Sequence, residues 1–478
     1  MSKYVILVLV LLSQLLFAQH DHKLQHYLHK LEKDPDLKNA SITFYAIHLA
    51  NGKEIAALNE HRSLVPASVT KVFSTAIALS IYGKEKTFKT LVEYDGSIDS
   101  TGVLYGNIYI KGGGDPTLGS TLFNKENPLA FIQQWVEAIK KKTGIKEIKG
   151  SIIADVSLFD NTIPGGWAWG DIGNYYGAGA HALSVYDNTY ELEFDTRNLQ
   201  KPVLKNIYPK LPDYTLINDL ESSSKQNDNS IIYGFPDSDE RTIKGSIPSG
   251  KSAFKVKGAT PSPDKLVVWL FKEELKKQNI PFSEIEYQVK QDTLRKLIYE
   301  QTSPPLADIV LQTNMKSINS YAESLLNHIG LFKHAVGSTF NGLDVTYQFL
   351  KERKLNTEGL FLTDGSGLSR SNAISAAHLV DILQLMYYDK NNFEAFKKSL
   401  PVAGKSGSIA NICKGTSAEG RVFAKSGYMS RVRSYAGYVT TLKGEEIAFA
   451  VIVNNYNCTP SEMKAKLEKL FIALAEHH

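Results

Sequence analysis

The chain has 478 residues, 43% of them hydrophobic and 22% charged, with a formal net charge of +4. That balance suffices for a substantial buried core and excludes a disordered or low-complexity protein. The positive excess is weak and forms no polybasic block, which excludes nucleic acid as an expected partner.

Residues 1–18 carry Lys3, then apolar residues from Tyr4 to Leu12 and Leu15 to Phe17, and end at Ala18. They read as a signal peptide, with Leu16 a poor residue at the minus-three position, so export is expected. No later apolar run approaches the ~20 residues that span a bilayer, and no transmembrane anchor is expected in the mature chain. His20, His22, His26 and His29 follow on a predicted helix. Without paired Cys or a His-Glu-x-x-His string they read as a solvated face rather than a metal site.

The first strands form a predicted hairpin, Ile42 to His48 and Glu54 to Leu58, across Asn51-Gly52. Pro66-Ala67 then precedes apolar positions at Val69, Val72, Phe73, Ala76, Ile77 and Leu79, closing at Gly83: a buried helix with a glycine C-cap. Ser68 is expected at its N-terminus, in the field of the helix dipole, with Lys71 on the same face one turn later. A hydroxyl beside an amine is the pattern of an activated serine nucleophile, although serine is also a favoured helix cap. Ser222/Lys225, Ser252/Lys255 and Ser461/Lys464 share the Ser-x-x-Lys spacing. The first two lie in polar stretches and the third opens a charged terminal helix, so context selects Ser68.

Gly112 to Gly114 with Asp115 reads as a glycine turn and lacks the Gly-Lys-Ser/Thr ending of a phosphate loop. A helix through Phe131, Trp135 and Ile139 ends at Lys140 to Gly144, and an aromatic stretch follows at Gly166 to Asp171. From Lys201 to Ser252 the chain is rich in polar residues and proline, with short alternating strands such as Ser230 to Tyr233. Ser317-Ile318-Asn319 supplies a hydroxyl and an amide. Glu323 and Asn327 also fit a Glu-x-x-x-Asn pattern, but they fall on the predicted helix of Asn319 and need no catalytic explanation.

Lys425-Ser426-Gly427 follows Arg421 to Ala424 and leads into strands Ser434 to Val439 and, past Lys443-Gly444, Ile447 to Val453. Such an antiparallel set can present Lys425 and Ser426 to a cleft and lend backbone N–H groups to an extended substrate. Two similar strings are set aside: Lys142-Thr143-Gly144 ends a helix, and Lys405-Ser406-Gly407 follows a Pro/Gly-bounded loop. Cys413 and Cys458 flank this region and are compatible with a disulfide or with two buried thiols. Neither has the setting of a nucleophile.

The three strings in this order resemble the penicillin-recognising serine enzymes, and more narrowly the D-alanyl-D-alanine carboxypeptidase/endopeptidase family, the class C low-molecular-mass penicillin-binding proteins. The narrower likeness rests on Lys111 to Leu118, Gly166 to Asp171, Asp364 to Arg370 and Leu400 to Gly404. Two positions depart from the family pattern: Ile318 stands where Asp is common, and Ser426 where Thr is commoner.

The resemblance implies an α+β fold, a penicillin-binding/serine β-lactamase-like domain whose antiparallel sheet is flanked by helices, with a large, mostly β, two-part insertion. The expected layout is signal peptide 1–18, catalytic domain 19–90 and 291–478, and inserted module 91–290 with an inner subdomain at about 192–256. It implies a periplasmic enzyme, soluble or peripherally attached, that hydrolyses D-Ala-D-Ala stem peptides of peptidoglycan through an acyl-enzyme and is acylated by β-lactam antibiotics. The catalytic residues are then Ser68, Lys71, Ser317, Asn319 and Lys425. Ser426, Gly427 and Tyr428 engage substrate, the last through its backbone N–H. Asp171 and Arg370 meet the diamino-acid side of the stem peptide, beside an apolar wall of Trp167, Trp169 and Tyr175. No metal or other cofactor is expected. A serine β-lactamase or a catalytically idle cell-wall binding protein are the alternatives; intact Ser68 and Lys71 argue against the idle protein.

Overall fold

The structure, a computed structural model, describes residues 24–197, 201–236, 238–286, 288 and 294–477. The expected signal peptide, His20 and His22 lie outside the described residues. Two compact units divide the chain: Met1–Glu85 with Val310–Ile318 and Leu343–His478, and Lys86–Ile309 with Asn319–Gly342.

The first unit is built on a five-stranded sheet in the order Val422–Met429, Val432–Thr440, Glu446–Asn454, Ser41–His48, Glu54–Leu58, each neighbouring pair antiparallel. The hairpin read from Asn51-Gly52 is present, with Gly52 at φ 70. Glu446–Asn454 is an uninterrupted apolar run because both of its faces are covered. Phe449, Val451 and Val453 share a core with Leu24, Leu28 and Leu31 of the helix at 24–32, and with Leu467, Leu470 and Phe471 of the terminal helix Pro460–Ala475. The other face carries helix Ala376–Tyr388, which also packs on helix Lys71–Tyr82. Each such leucine or phenylalanine contributes roughly 1.5–3 kcal/mol of burial.

The terminal helix starts on a capping box, Thr459 accepting from the Glu462 N–H, with Pro460 in its first turn. Met463, Leu467, Leu470 and Leu474 are buried along one side, which makes it a core helix of this unit. His26 and His29 are exposed on the first described helix. Cys413 and Cys458 are both unbonded thiols; Cys413 is buried, which pushes its thiol up to about 12, with Glu468 adding to the effect.

The second unit contains a four-stranded sheet in the order Lys296–Thr302, Lys89–Tyr94, Ile108–Lys111, Ile152–Asp155, against which helices Ala130–Ala138 and Pro263–Lys277 bury Trp135 and Phe271. Lys140 to Lys142 do end a helix: Gly144 caps it at φ 72. The stretch read as polar with short strands supplies one strand of one three-stranded sheet and all three of another. One is Val203–Tyr208, Thr189–Asp195, Phe254–Ala259; the other is Thr215–Ser223, Glu240–Pro248, Ile231–Tyr233.

Candidate active site

Ser68 does not open an α-helix, contrary to the sequence reading. It is the second residue of a 3₁₀ turn, Ala67–Thr70, and the α-helix proper is Lys71–Tyr82, closing as read on Gly83 at φ 75. The cause is local. Ala67 has φ 52, outside helical space, and the chain recovers from it through a tighter turn in which Lys71 N–H donates to Ser68 O. A left-handed conformation at a non-glycine residue costs on the order of 1–2 kcal/mol and persists only where its surroundings impose it.

Those surroundings are on both sides of the turn. Asn454, on the strand Glu446–Asn454, accepts from Val65 N at 2.9 Å and donates to Val65 O at 3.0 Å, while Ser434 Oγ donates to Pro66 O. On the other side runs the loop at 364–370. Buried Asp364 accepts from the N–H groups of Gly367 and Ser369, at 2.7 and 2.6 Å, and from Asn372 Nδ2 at 2.8 Å. Gly367, at φ 80, lies so close to Ala67 O that a Cβ there would collide with it.

The same loop holds Lys71. Its Nζ donates to Ser366 O at 2.7 Å and to Ser68 Oγ at 3.1 Å, and its side chain is fully buried. Ser317 follows helix Leu306–Lys316 in a left-handed conformation, φ 60, and its Oγ accepts from Lys425 Nζ at 2.9 Å. Lys425 also donates to Ser426 O at 2.8 Å. It too is fully buried, and burial first, then the charge of Lys71, holds its amine well below the ordinary lysine value. Two buried amines thus lie close enough for the charge of one to act on the other.

Lys425, Ser426, Gly427 and Tyr428 lie on Val422–Met429, an edge strand. At its beginning the outer edge is occupied, Ala424 N–H donating to Pro401 O at 2.9 Å. Strand alternation turns the N–H groups of Ser426 and Tyr428 to that same edge. Gly427 brings the strand against the Ser68 turn: a Cβ there would lie 2.6 Å from Pro66 O and 3.0 Å from Ser68 N. The edge strand at Gly427 and the turn that carries Ser68 are thus in close backbone approach. Ser426 Oγ shares a 2.6 Å hydrogen bond with Ser408 Oγ, and Arg433 lies over the exposed Tyr428 ring, 4.5 Å from its centroid.

Asn319 opens helix Asn319–Leu331 in the second unit, where its Nδ2 donates to Tyr176 O at 2.6 Å. That carbonyl belongs to the segment read as an aromatic wall. Trp167 is buried, while Trp169 and Tyr175 are 60% and 55% exposed. Burial, followed by the charge and hydrogen bond of Asp171, pushes the Tyr176 phenol up to about 12. Glu323 and Asn327 sit on the helix of Asn319 and are buried. Asp115 closes its glycine turn by accepting from Thr117 N and Oγ1, at 2.8 and 2.7 Å. Arg370 is an exposed residue of the first unit.

Sequence reading missed Asp364, Ser366, Ser408, Ser434 and Asn454. Asp364 and Ser366 lie in a stretch already noticed as a marker. The others carry no local signal.

A model of the D-Ala-D-Ala carboxypeptidase 3 (S13) family matches residues 24–474. A D-alanyl-D-alanine carboxypeptidase of Actinomadura sp. (strain R39) is 28% identical over 471 residues, 93% of this chain and 83% of that protein. D-alanyl-D-alanine carboxypeptidase DacB of Haemophilus influenzae is 24% identical over 444 residues, covering 90% and 88%. Among solved structures, penicillin binding protein 4 (dacB) from H. influenzae superposes with a TM-score of 0.76 at 24% identity, covering 91% of this chain and 95% of that one. The same protein complexed with a novel β-lactam gives 0.72 at 22% identity, covering 91% and 96%. At these identities the structural likeness speaks for the fold.

Proposed function

This chain belongs to the D-Ala-D-Ala carboxypeptidase 3 (S13) family, and we propose that its serine site removes the terminal D-alanine from peptidoglycan stem peptides through an acyl-enzyme. The observation that carries this reading is the buried pair of amines, Lys71 on the Ser68 hydroxyl and Lys425 on the Ser317 hydroxyl.

In the neutral form, Lys71 takes the proton of Ser68 as Oγ attacks the carbonyl carbon of the penultimate D-alanine. The negative charge that develops on the carbonyl oxygen meets the N–H groups of Ser68 and Tyr428. One such donor is typically worth about 3 kcal/mol. Collapse of the tetrahedral intermediate breaks the peptide C–N bond, and a proton reaches the departing amine by way of Ser317. Water then attacks the ester, and Ser68 recovers its proton. Lys425, with the Ser426 hydroxyl, is assigned to the terminal carboxylate of the substrate, whose extended backbone lines up along the free part of the edge strand.

Asn319, Asp171 and Arg370 are proposed as site residues from the motifs they occupy. Acylation by β-lactams belongs to the same proposal, because a β-lactam offers Ser68 an amide carbonyl beside a carboxylate. The signal-peptide pattern of residues 1–18 supports export to the periplasm. Among the described residues no helix is long and apolar enough to cross a membrane. We read the chain as a catalytic domain, 19–90 and 291–478, interrupted by a module at 91–290.

The test is release of D-alanine from a pentapeptide ending in D-Ala-D-Ala. Wild type is expected to release one equivalent per peptide and Ser68→Ala none. A wild-type enzyme that leaves the peptide intact would overturn the reading.

A further inference from the structure

The second unit holds a cavity of about 440 Å³ that no step above uses. Its floor is the outward face of the sheet Val203–Tyr208, Thr189–Asp195, Phe254–Ala259. Along the central strand, alternation sends Tyr190, Leu192 and Phe194 into the core and leaves Glu191 and Glu193 facing the cavity. The neighbouring strand sets Lys255 opposite Glu193 and Lys257 opposite Glu191, and Lys255 Nζ closes on Glu191 Oε1 at 2.6 Å. Each glutamate of the floor is thus answered by a lysine, and with Asp187 the lining carries three carboxylates against two lysines, no large surplus of either charge.

The far side is aromatic and amide. The rings of Tyr186 and Tyr208 meet edge to face with centroids 5.8 Å apart, Tyr208 is 53% exposed, and exposed Asn206 lines the cavity beside it on the same strand. The residues that present Tyr186 are strained. Tyr186, Asp187 and Asn188 have φ of 52, 58 and 55, three successive left-handed positions with no glycine among them. Each costs on the order of 1–2 kcal/mol, and such outliers cluster at ligand clamps. The turn is fastened by Tyr321 Oη donating to Asp187 Oδ1 at 2.5 Å and Asn188 Nδ2 donating to Gly179 O at 3.0 Å.

A cation or an anion entering here would find its own sign beside each opposite charge. An apolar ligand would strip water from lysines and glutamates without replacing it. A ligand with many hydroxyls and no net charge satisfies donors and acceptors alike and stacks its C–H faces on tyrosine, and the volume lies in the range of small-molecule sites. We propose that this cavity binds a neutral saccharide, the sugar chain to which stem peptides are attached. The inference rests on the function proposed above for the identity of the sugar.

The probe is a peptide-free tetrasaccharide of N-acetylglucosamine, titrated calorimetrically into the full chain as wild type, Tyr208→Ala and Asn206→Ala. Wild type is expected to bind it and Tyr208→Ala to bind about tenfold more weakly, the loss of one aromatic contact. Asn206→Ala, an exposed change that cannot disturb the core, is expected to weaken binding several-fold. Both variants should be acylated by benzylpenicillin at the wild-type rate, which reports an intact fold. In turnover, a disaccharide-linked pentapeptide should show a lower KM than the free pentapeptide, and Tyr208→Ala should erase that difference while leaving kcat/KM for the free peptide unchanged. No binding by wild type, or binding indifferent to both substitutions, overturns the proposal. Because the titration needs no turnover, failure of the peptidase reading would appear as absent D-alanine release with sugar binding intact, and failure of the sugar site as the reverse.

Discussion

Replacing Gly427 by alanine tests whether close approach of the edge strand to Ser68 is what builds the oxyanion site proposed above. The added Cβ would fall 2.6 Å from Pro66 O and 3.0 Å from Ser68 N, and would collide with Ser434 Oγ, which itself donates to Pro66 O. Ordinary carbon contacts begin near 3.4 Å, so the strand must retreat by about 1 Å or the Pro66–Ser68 turn must shift by as much. Pro66 and Val65 are fixed from the other strands by Ser434 and Asn454. The strand is therefore the part that moves, carrying Tyr428 N–H away from the oxyanion position proposed beside Ser68 N–H. Overpacking of this kind costs about 1–3 kcal/mol of stability, and losing one oxyanion donor costs roughly 10²–10³ in rate. The assay is the second-order rate of acylation by benzylpenicillin, read by intact mass, with thermal unfolding alongside. A Gly427→Ala protein that acylates at the wild-type rate would refute the argument.

Lys425→Met should slow acylation at least 100-fold and change the pH dependence of stability. The folded Lys425 amine titrates below its ordinary value, so the unfolded state binds more protons at alkaline pH and stability rises with pH towards the ordinary lysine pKa. Urea melts should show that alkaline gain in wild type and less of it in Lys425→Met. A second pair balances in acid. Burial lowers His328 to about 4, which makes folding less favourable as pH falls from 6.5. Burial raises Asp115 to about 6, which makes folding more favourable as pH falls through that value. Each is worth about 3 kcal/mol at 1.36 kcal/mol per unit, with opposite sign. Between pH 7 and 4, Asp115→Asn should therefore lose about 3 kcal/mol relative to wild type and His328→Gln should gain about as much; parallel pH profiles in both variants would contradict the burial argument. Gly367→Ala, at φ 80 and against Ala67 O, should destabilise the first unit and slow acylation. Unchanged melting and acylation would show that the Asp364 loop does not brace Ser68.

Much of the first unit is written locally. The Asn51-Gly52 hairpin, the Gly83 cap and the strands after Lys425 each have a short-range cause, and the structure forms them. What the sequence could not disclose is held by distant partners. The Asn454 side chain reaches Val65, and Lys71 finds the Ser366 carbonyl, across most of the chain. A carbonyl has no side-chain signature at all. The 3₁₀ turn at Ser68 was read as α-helix because apolar periodicity cannot tell the first turn of a helix from a tighter one. The positive φ values at Ala67, Ser317 and Tyr186–Asn188 were invisible because ordinary residues, rather than glycine, were forced there by their contacts.

Ser68 is proposed as the nucleophile of a slowly deacylating peptidase. The most direct test is intact mass over an hour with excess benzylpenicillin, on wild type and Ser68→Ala. A lasting adduct of one penicillin on wild type and none on Ser68→Ala is the expected result. Rapid hydrolysis of the drug without an adduct would indicate a β-lactamase, and an adduct that survives in Ser68→Ala would place the nucleophile elsewhere; either contradicts the account.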